Sequence, residues 1–304
     1  MTNWQNPYEN LYENLDGQWL KGNLHTHTAP ASPCATISPE RVLALYEAKG
    51  YDFLSVSDHM RYTAISQPTR LTLIPGLEWN SRTASEDLRQ VVFKDHIGLY
   101  ALDGDLLEQN VRHRTPGQVL QAMADKAVLI VLNHPNWLVP PHYSEEVLLD
   151  RYQSIHGIEI YNAVIENWEG HPEATVKWDR ILTDKGPVLG FASDDSHRDA
   201  DIGRAWIMVN AAGNRPADIL AGIRAGRFYC STGVAIREIG RDGDQVFCRA
   251  GRQIEIEAVG NNSRVLAASA GELVINFQET EAAYIRFALY GPGKQMAWSQ
   301  PFFK

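Results

Sequence analysis

Residues 127–135 read Ala127-Val128-Leu129-Ile130-Val131-Leu132-Asn133-His134-Pro135, an apolar run followed by a polar turn. Successive side chains of a β-strand point to opposite faces, so a strand with this sequence is apolar on both faces. Strands buried on both faces are typical of a parallel sheet covered by helices. We therefore expect a parallel sheet with helices outside it, and His134 just beyond the end of one of its strands.

Short apolar runs of the same kind recur before and after this one. Together they predict strands at Lys21–Leu24, Asp52–Ser57, Leu71–Leu77, Val91–Asp95, Ala127–Leu132, Gly157–Tyr161 and Pro187–Ala192. Strands in this number and spacing fit an α/β fold, with a distorted barrel of parallel strands inside an outer ring of helices.

Helical patterns lie between several of these strands. In the clearest one, residues 38–50, Ser38 can cap the first amides and Pro39 suits the first helical position. Gly50 can adopt the left-handed conformation that ends a helix. Further helices are predicted at residues 115–126 and 172–184, and from near Ser144 and Pro216.

From residue 230 onward the pattern changes to closely spaced alternating segments. Residues 253–257 and 284–290 alternate between apolar and polar side chains, and glycine-rich turns follow each of them. Alternating strands with no helices between them are typical of a small antiparallel β-sandwich. We predict two domains, a barrel at residues 1–229 and an all-β domain at residues 230–304.

The composition is that of an ordinary globular protein, with 44% hydrophobic and 21% charged residues among 304. A formal net charge of −9 repels polyanions, which disfavours nucleic-acid partners. No apolar run approaches the roughly 20 residues that span a bilayer, and the N-terminal residues lack a signal-peptide pattern. Three cysteines at irregular spacing do not indicate a disulfide framework. We expect a cytoplasmic protein with no membrane partner; its oligomeric state stays open.

Six of the ten histidines lie just beyond predicted strands. They are His25, His27, His59, His96, His134 and His197, and the carboxylates Asp58, Glu78 and Asp195 hold similar positions. The carboxyl ends of barrel strands lie on one face, which brings these side chains together. Imidazoles and carboxylates are ligands of Zn, Mn and Fe, so a centre of divalent metal ions is predicted. The other four are predicted to be ordinary packed or surface residues: His113, His142, His156 and His171.

These motifs resemble those of the PHP superfamily, which is named for polymerase and histidinol phosphatase. The similar segments, in chain order, are Lys21–Thr28, Ser57–His59, Glu78, His96, His134 and Asp195–His197. The resemblance extends from Trp19 to His197 and implies a distorted (β/α)7 barrel of PHP type. Residues 226–233 and 297–301 are similar to a two-domain bacterial branch that includes a carbamate hydrolase of the carbaryl type.

The resemblance also implies two to three divalent metal ions. It assigns His25, His27, Glu78 and Asp195 to a first metal, Glu78, His96 and His134 to a second, and His59 and His197 to a third. Asp58 would support a ligand or contact water more readily than bind a metal itself.

The loop after the first motif departs from the superfamily pattern. That loop usually contains Ser-Asp-Gly, whereas residues 29–36 here read APASPCAT, with Cys34 where the aspartate is expected. Cys34 is therefore either a ligand of the third metal or a small, partly buried thiol.

Two metals that share Glu78 would lower the pKa of a water between them, so a bridging hydroxide is the expected nucleophile. The leading hypothesis is a hydrolase of an anionic small-molecule phosphate ester. Its catalytic residues would be Glu78, Asp58, Asp195 and His197, and its substrate-binding residues Arg61 and Arg198. The alternatives are a carbamate, amide or ester hydrolase with the same centre, and a non-catalytic module that binds metal or ligand. The acidic charge argues against a nuclease.

Overall fold

The structure is a computed structural model that describes residues 8, 11–13, 15–84, 91–112, 114–124, 126–138, 143, 145–168 and 170–304. It describes the backbone alone for residues 82–84, 91–94, 145–146 and 152. Three predictions lie outside the described residues: the ordinary roles of His113 and His142, and the helix start at Ser144.

Six α-helices lie in the described ranges: α1 Pro39–Ala48, α2 Gly104–Val111, α3 Pro116–Ala124, α4 Glu145–Arg151, α5 Thr175–Asp184 and α6 Pro216–Arg224. The predicted cap of α1 is confirmed, because the Ser38 hydroxyl accepts a hydrogen bond from the backbone N–H of Arg41. Helix α2 was not predicted; the Asp103 carboxylate caps it by accepting from the N–H of Leu106 at 3.1 Å. Among the described helices, none is long and apolar enough to cross a membrane.

Eighteen β-strands lie in the same ranges. The first nine are β1 Gln18–Asn23, β2 Phe53–Leu54, β3 Thr72–Leu73, β4 Gly76–Ala84, β5 Val91–Tyr100, β6 Leu129–Leu132, β7 Gly157–Asn162, β8 Leu189–Ser193 and β9 Trp206–Ala211. The others are β10 Phe228–Ser231, β11 Glu238–Asp242, β12 Gln245–Arg249, β13 Glu255–Gly260, β14 Arg264–Ala270, β15 Glu272–Asn276, β16 Tyr284–Tyr290, β17 Met296–Ser299 and β18 Phe302–Phe303. The predicted run 71–77 is divided between β3 and β4 at Ile74 and Pro75, where proline lacks an N–H to donate.

The strands of the first part of the chain pair in both directions. β1, β2 and β3 are parallel neighbours, and so are β6, β7 and β8. β5 is antiparallel to both β4 and β6, so the expectation of a purely parallel sheet is wrong for this strand. β5 turns back against the preceding strand, and direct pairing of this kind is antiparallel. Isolated parallel bridges, Thr26 to Ser196 and His59 to Glu78, join the two groups of strands.

The C-terminal strands continue the sheet that contains β1. Its order is β14-β13-β16-β17-β10-β9-β1-β2-β3, with β18 beside β16. A three-stranded sheet, β11-β12-β15, packs against the C-terminal strands of the larger sheet. The apolar core that they share includes Ile239, Cys248 and Phe287. The mixed α/β class is confirmed. The (β/α)7 barrel, the C-terminal sandwich and the domain boundary at 229/230, which β10 spans, stay predictions.

A buried ion pair joins helix α5 to strand β16. Arg286 donates to Asp179 through Nε at 2.7 Å and through Nη2 at 2.6 Å, and both side chains are buried. The hydroxyls of Tyr284 and Ser263 donate to the same carboxylate at 2.9 and 2.7 Å. A bidentate ion pair with additional hydrogen bonds compensates well for the hydration that the two buried charges lose. The contact therefore fixes the C-terminal strands against the helix.

Candidate metal centre

His25 and His27 follow β1 on a segment that remains extended. Thr26 between them bridges Ser196, and alternate residues of an extended chain face the same side. The two Nε2 atoms are 3.1 Å apart, and each lies 3.1 Å from Oδ1 of Asp195. The first motif and the closing motif therefore meet in one buried cluster.

Glu78 of β4 lies at the middle of this cluster. Its two carboxylate oxygens contact five imidazoles. Oε1 lies 3.0 Å from Nδ1 of His96 and 3.3 Å from Nε2 of both His25 and His134. Oε2 lies 2.9 Å from Nδ1 of His59 and 3.4 Å from Nε2 of His27. A carboxylate with imidazoles at both oxygens is placed to bridge two metal ions.

His96 reaches the cluster from within strand β5 and not from a strand end. The predicted strand at residues 91–95 continues to Tyr100, and His96 lies opposite Asn80 of β4. Because the two strands are antiparallel, the carboxyl end of β5 pairs with Gly76, at the start of β4. A residue inside β5, and not one beyond its carboxyl end, therefore faces the cluster.

The donor set fits divalent metal ions. Glu78 Oε2 and Asp195 Oδ1 are buried, and among the described residues they accept no hydrogen bond. A buried carboxylate oxygen without a partner is costly, and a metal ion would supply that partner. Four groups of three residues have ligand atoms within 4.8 Å of one another: His25–His27–Glu78, His25–His134–Asp195, His59–Glu78–His96 and His27–His59–His197.

The charges of the cluster keep its carboxylates ionised. Burial acts to raise the pKa of Glu78, but His96, His25 and His59 outweigh it and hold that pKa well below its ordinary value. Asp195 behaves in the same way, with His25 as the strongest opposing charge. Metal binding requires deprotonated ligands, so both carboxylates are in the form that binds.

Glu159 of β7 contacts the cluster and is not among the residues predicted from the sequence. Its Oε1 accepts from Nδ1–H of His25 at 2.8 Å, and its Oε2 accepts from the backbone N–H of His134 at 2.7 Å and from Asn162 at 2.9 Å. With Nδ1–H committed to Glu159, Nε2 is the nitrogen of His25 that faces the cluster and could bind a metal ion. The sequence did contain a signal, because one glutamate interrupts the apolar strand at residues 157–161, and a buried carboxylate needs partners.

Asp58 lies beside the cluster but is occupied by hydrogen bonds from two loops. Its carboxylate accepts from the N–H and the hydroxyl of Thr28 and from the Ser32 hydroxyl, each at 2.7 Å, and from the Thr63 hydroxyl at 2.6 Å. Ser32 in turn lies 3.1 Å from Nδ1 of His27. Asp58 is therefore linked to the cluster through Ser32, and its predicted catalytic role stays a prediction.

A cavity of about 440 Å³ opens onto the cluster. Cys34 belongs to its lining, together with His59 and His197. Burial acts to raise the pKa of the Cys34 thiol, but the two histidines outweigh it and lower that pKa to about 7. Cys34 thus adjoins the residues predicted for the third metal, and both of its predicted roles stay open.

The structure does not bring the two predicted substrate-binding arginines to this cavity. Arg61 is exposed, and Arg198, which is 57% exposed, directs its Nε to Asp201 at 3.2 Å. Two of the histidines predicted to be ordinary also lie apart from the cluster. His156 accepts from a backbone N–H of β6 through Nδ1, and His171 is exposed.

The PHP-associated family model matches residues 181–228, a segment that contains Asp195 and His197. This match supports the predicted PHP resemblance in that segment, while the branch that includes the carbamate hydrolase stays a prediction. No curated protein matches the sequence.

Several solved structures are similar to this chain at low identity. A two-domain protein from Bacteroides vulgatus, described as containing a predicted PHP-like metal-dependent phosphoesterase, is 15% identical with a TM-score of 0.49 over 99% of each chain. PsfC from Pseudomonas syringae is 12% identical with a TM-score of 0.48, over 69% of this chain and 89% of its own. The lesion-specific endonuclease from Pyrococcus furiosus is 10% identical with a TM-score of 0.47, over 69% and 56% respectively. At these identities and scores the similarities assign no activity to this chain.

Proposed function

We propose that this protein is a metal-dependent phosphoesterase that hydrolyses a phosphate ester of a small molecule. The observation that carries the proposal is the Glu78 carboxylate, which is buried among five imidazoles and lines a cavity of about 440 Å³. The proposal includes a distorted (β/α)7 barrel of PHP type, an anionic small-molecule substrate that is not a nucleic acid, and a cytoplasmic location.

The side chains present would divide among two to three divalent ions, with Zn, Mn and Fe as candidates. The first would be held by His25, His27, Asp195 and Glu78, the second by Glu78, His96 and His134, and the third by His59 and His197, with His27 adjoining them. When bound, such ions lower the pKa of water to near neutrality and offset the charge on phosphoryl oxygens.

The protein's own residues fix the protonation states that this chemistry requires. Nδ1–H of His25 donates to Glu159, and Nδ1–H of His197 donates to the backbone oxygen of Asp195 at 2.8 Å. Because Nδ1–H is committed in both rings, Nε2 is the nitrogen that would give up its proton and bind a metal ion. Burial of the cluster excludes bulk water, which strengthens the attraction between these groups and a charged substrate.

A second candidate is a carbamate or carboxyl-ester hydrolase with the same centre. It is favoured by one observation: no lysine or arginine lines the described part of the cavity. A neutral substrate needs no such cation, whereas a phosphate ester would depend on the metals for charge compensation.

Substrates that share the same leaving group, 4-nitrophenol, separate the two candidates. We expect the Mn²⁺- or Zn²⁺-reconstituted protein to have a higher kcat/KM for 4-nitrophenyl phosphate than for 4-nitrophenyl acetate or 4-nitrophenyl N-methylcarbamate. Glu78→Gln serves as the control for contaminating activity. A preference of about tenfold for the carbonyl substrates, or about 1.4 kcal/mol of transition-state stabilisation, would reverse the assignment.

A further inference from the structure

The part of the cavity lining that cannot bind metal is mainly apolar. It includes Pro33, Met60, Trp137, Val164, Ile165 and Trp168. Val164 and Ile165 are almost completely buried, in a short 3₁₀ segment at residues 164–167, so their positions are fixed by packing. Such a lining offers contact area to a ligand but no charge.

Two indoles, which we call the tryptophan pair, extend this lining along the histidine cluster. The Trp137 ring packs edge-on against His134 with centroids 5.1 Å apart, and the Trp168 ring lies 5.8 Å from that of His197. The two indoles meet edge to face, at 5.0 Å and 76°. The tryptophan pair therefore connects a residue assigned to the second metal with one assigned to the third.

The tryptophan pair is held in place and is partly open. Trp137 forms an isolated bridge with Gly170, where an added side chain would approach the backbone oxygen of Asn136 to 2.7 Å. Trp168 remains 40% exposed, although burial of an indole is strongly favourable. A flat ligand in the cavity would cover part of this exposed ring.

We propose that the organic group of the ester is an aromatic or similarly flat apolar ring that packs against the tryptophan pair; this inference rests on the proposed function. Pockets for organic ligands are lined mostly by apolar and aromatic side chains with a few polar groups that fix orientation. Here the polar groups are the residues assigned to the metals, together with Cys34 and Asn80. A substrate with a second anionic group would find no lysine or arginine among the described lining residues, and burying that charge would be costly.

The test compares binding of matched ligands that are not hydrolysed, so that leaving-group reactivity has no influence. Dissociation constants of methylphosphonate and benzylphosphonate are measured by calorimetry on the metal-reconstituted protein. Acetohydroxamate and benzohydroxamate, which bind metals without a phosphoryl group, form a second pair. We expect the aromatic member of each pair to bind at least about tenfold more tightly.

Variants locate the preference. Trp168→Ala is expected to remove most of the aromatic preference and to leave methylphosphonate binding within about threefold of wild type, whereas Trp168→Phe retains part of it. Trp206→Ala is the matched control, because Trp206 is partly buried and lies outside the cavity lining.

The outcomes separate this inference from the proposed function. If methylphosphonate binds and both pairs show no aromatic preference, the inference is overturned and the phosphoesterase proposal stands. If neither phosphonate binds but the hydroxamates show the preference, the phosphoesterase proposal fails and the aromatic site stands. An aromatic preference that survives in Trp168→Ala, or the absence of binding by all four compounds, overturns the inference.

Discussion

Replacing Glu159 with glutamine tests whether this buried carboxylate fixes the proton on His25. Oε1 accepts from His25 Nδ1–H and from the Ser193 hydroxyl, and Oε2 accepts from the His134 N–H and from Asn162. Glutamine keeps one acceptor oxygen and turns the other position into an N–H donor. The backbone N–H of His134 can only donate, so the amide oxygen of the glutamine has to take that side.

The amide N–H of the Glu159→Gln side chain then faces Nδ1 of His25. That nitrogen has to become an acceptor, which moves the ring proton to Nε2, 3.1 Å from Asp195 and 3.3 Å from Glu78. A protonated nitrogen cannot bind a metal ion. Loss of a hydrogen bond that orients a ligand costs about 10–100-fold in metal affinity, which corresponds to about 1.4–2.8 kcal/mol.

Equilibrium competition with a chromophoric chelator measures the dissociation constant of Zn²⁺ for both proteins. The matched control is Glu272→Gln, at an exposed glutamate of β15 that pairs with Arg249. This control is expected to change Zn²⁺ affinity by less than about twofold. Glu272 is exposed and is not a residue of the cluster, and an exposed ion pair contributes little to the stability of the fold. Glu159→Gln with a wild-type circular dichroism spectrum and Zn²⁺ affinity within about twofold of wild type would refute the role of Glu159.

Three further predictions concern Cys34, Glu78 and the buried ion pair. Cys34→Ala is expected to lower the metal content by at most one equivalent in elemental analysis, because the first two predicted metals do not use this residue; a folded variant without metal contradicts this. Glu78→Gln is expected to lower kcat/KM by about 100-fold or more, while Arg61→Ala, exposed and outside the cavity, changes it by less than about threefold; equal losses contradict the assignment. Arg286→Met is expected to lower the free energy of unfolding in urea by about 3–5 kcal/mol, because Asp179 is left charged and unpaired. Adding Asp179→Asn should restore part of that loss, and an unchanged urea midpoint for Arg286→Met would show that the pair contributes nothing.

The shared side of His25 and His27 follows from the sequence because local geometry governs it. His25 and His27 share a side of an extended segment, and alternation over two residues is readable without knowing the fold. The cap at Ser38 is local in the same sense, as is the alternation that predicts a strand at residues 284–290. Where a residue's role depends only on its neighbours in the chain, the sequence pattern was sufficient.

Features that depend on distant partners could not be read in this way. The apolar pattern of residues 91–95 indicates a strand but not its direction, so the position of His96 inside an antiparallel strand was missed. Glu159 is recognisable only once His25 and the β6–β7 region lie around it. Arg61 and Arg198 lie close to the motifs in sequence, yet both are exposed and neither lines the cavity. Proximity in sequence does not fix where the charged end of a long flexible side chain lies.

Pairing partners of the C-terminal strands were equally inaccessible to sequence reasoning. Strand β16 has the predicted bounds, but an alternating pattern does not say that its sheet continues through β10 and β9 to β1. The ion pair between Asp179 and Arg286 likewise joins residues far apart in the chain.

Metal stoichiometry shows whether this cluster is a multinuclear metal centre. The protein is purified without chelators, reconstituted separately with Zn²⁺, Mn²⁺ and Fe²⁺, freed of unbound metal and measured by elemental analysis. We expect two to three equivalents per chain for at least one of these ions, and a lower content in Glu78→Gln. Less than one equivalent in the purified protein, with no uptake on reconstitution, would contradict it.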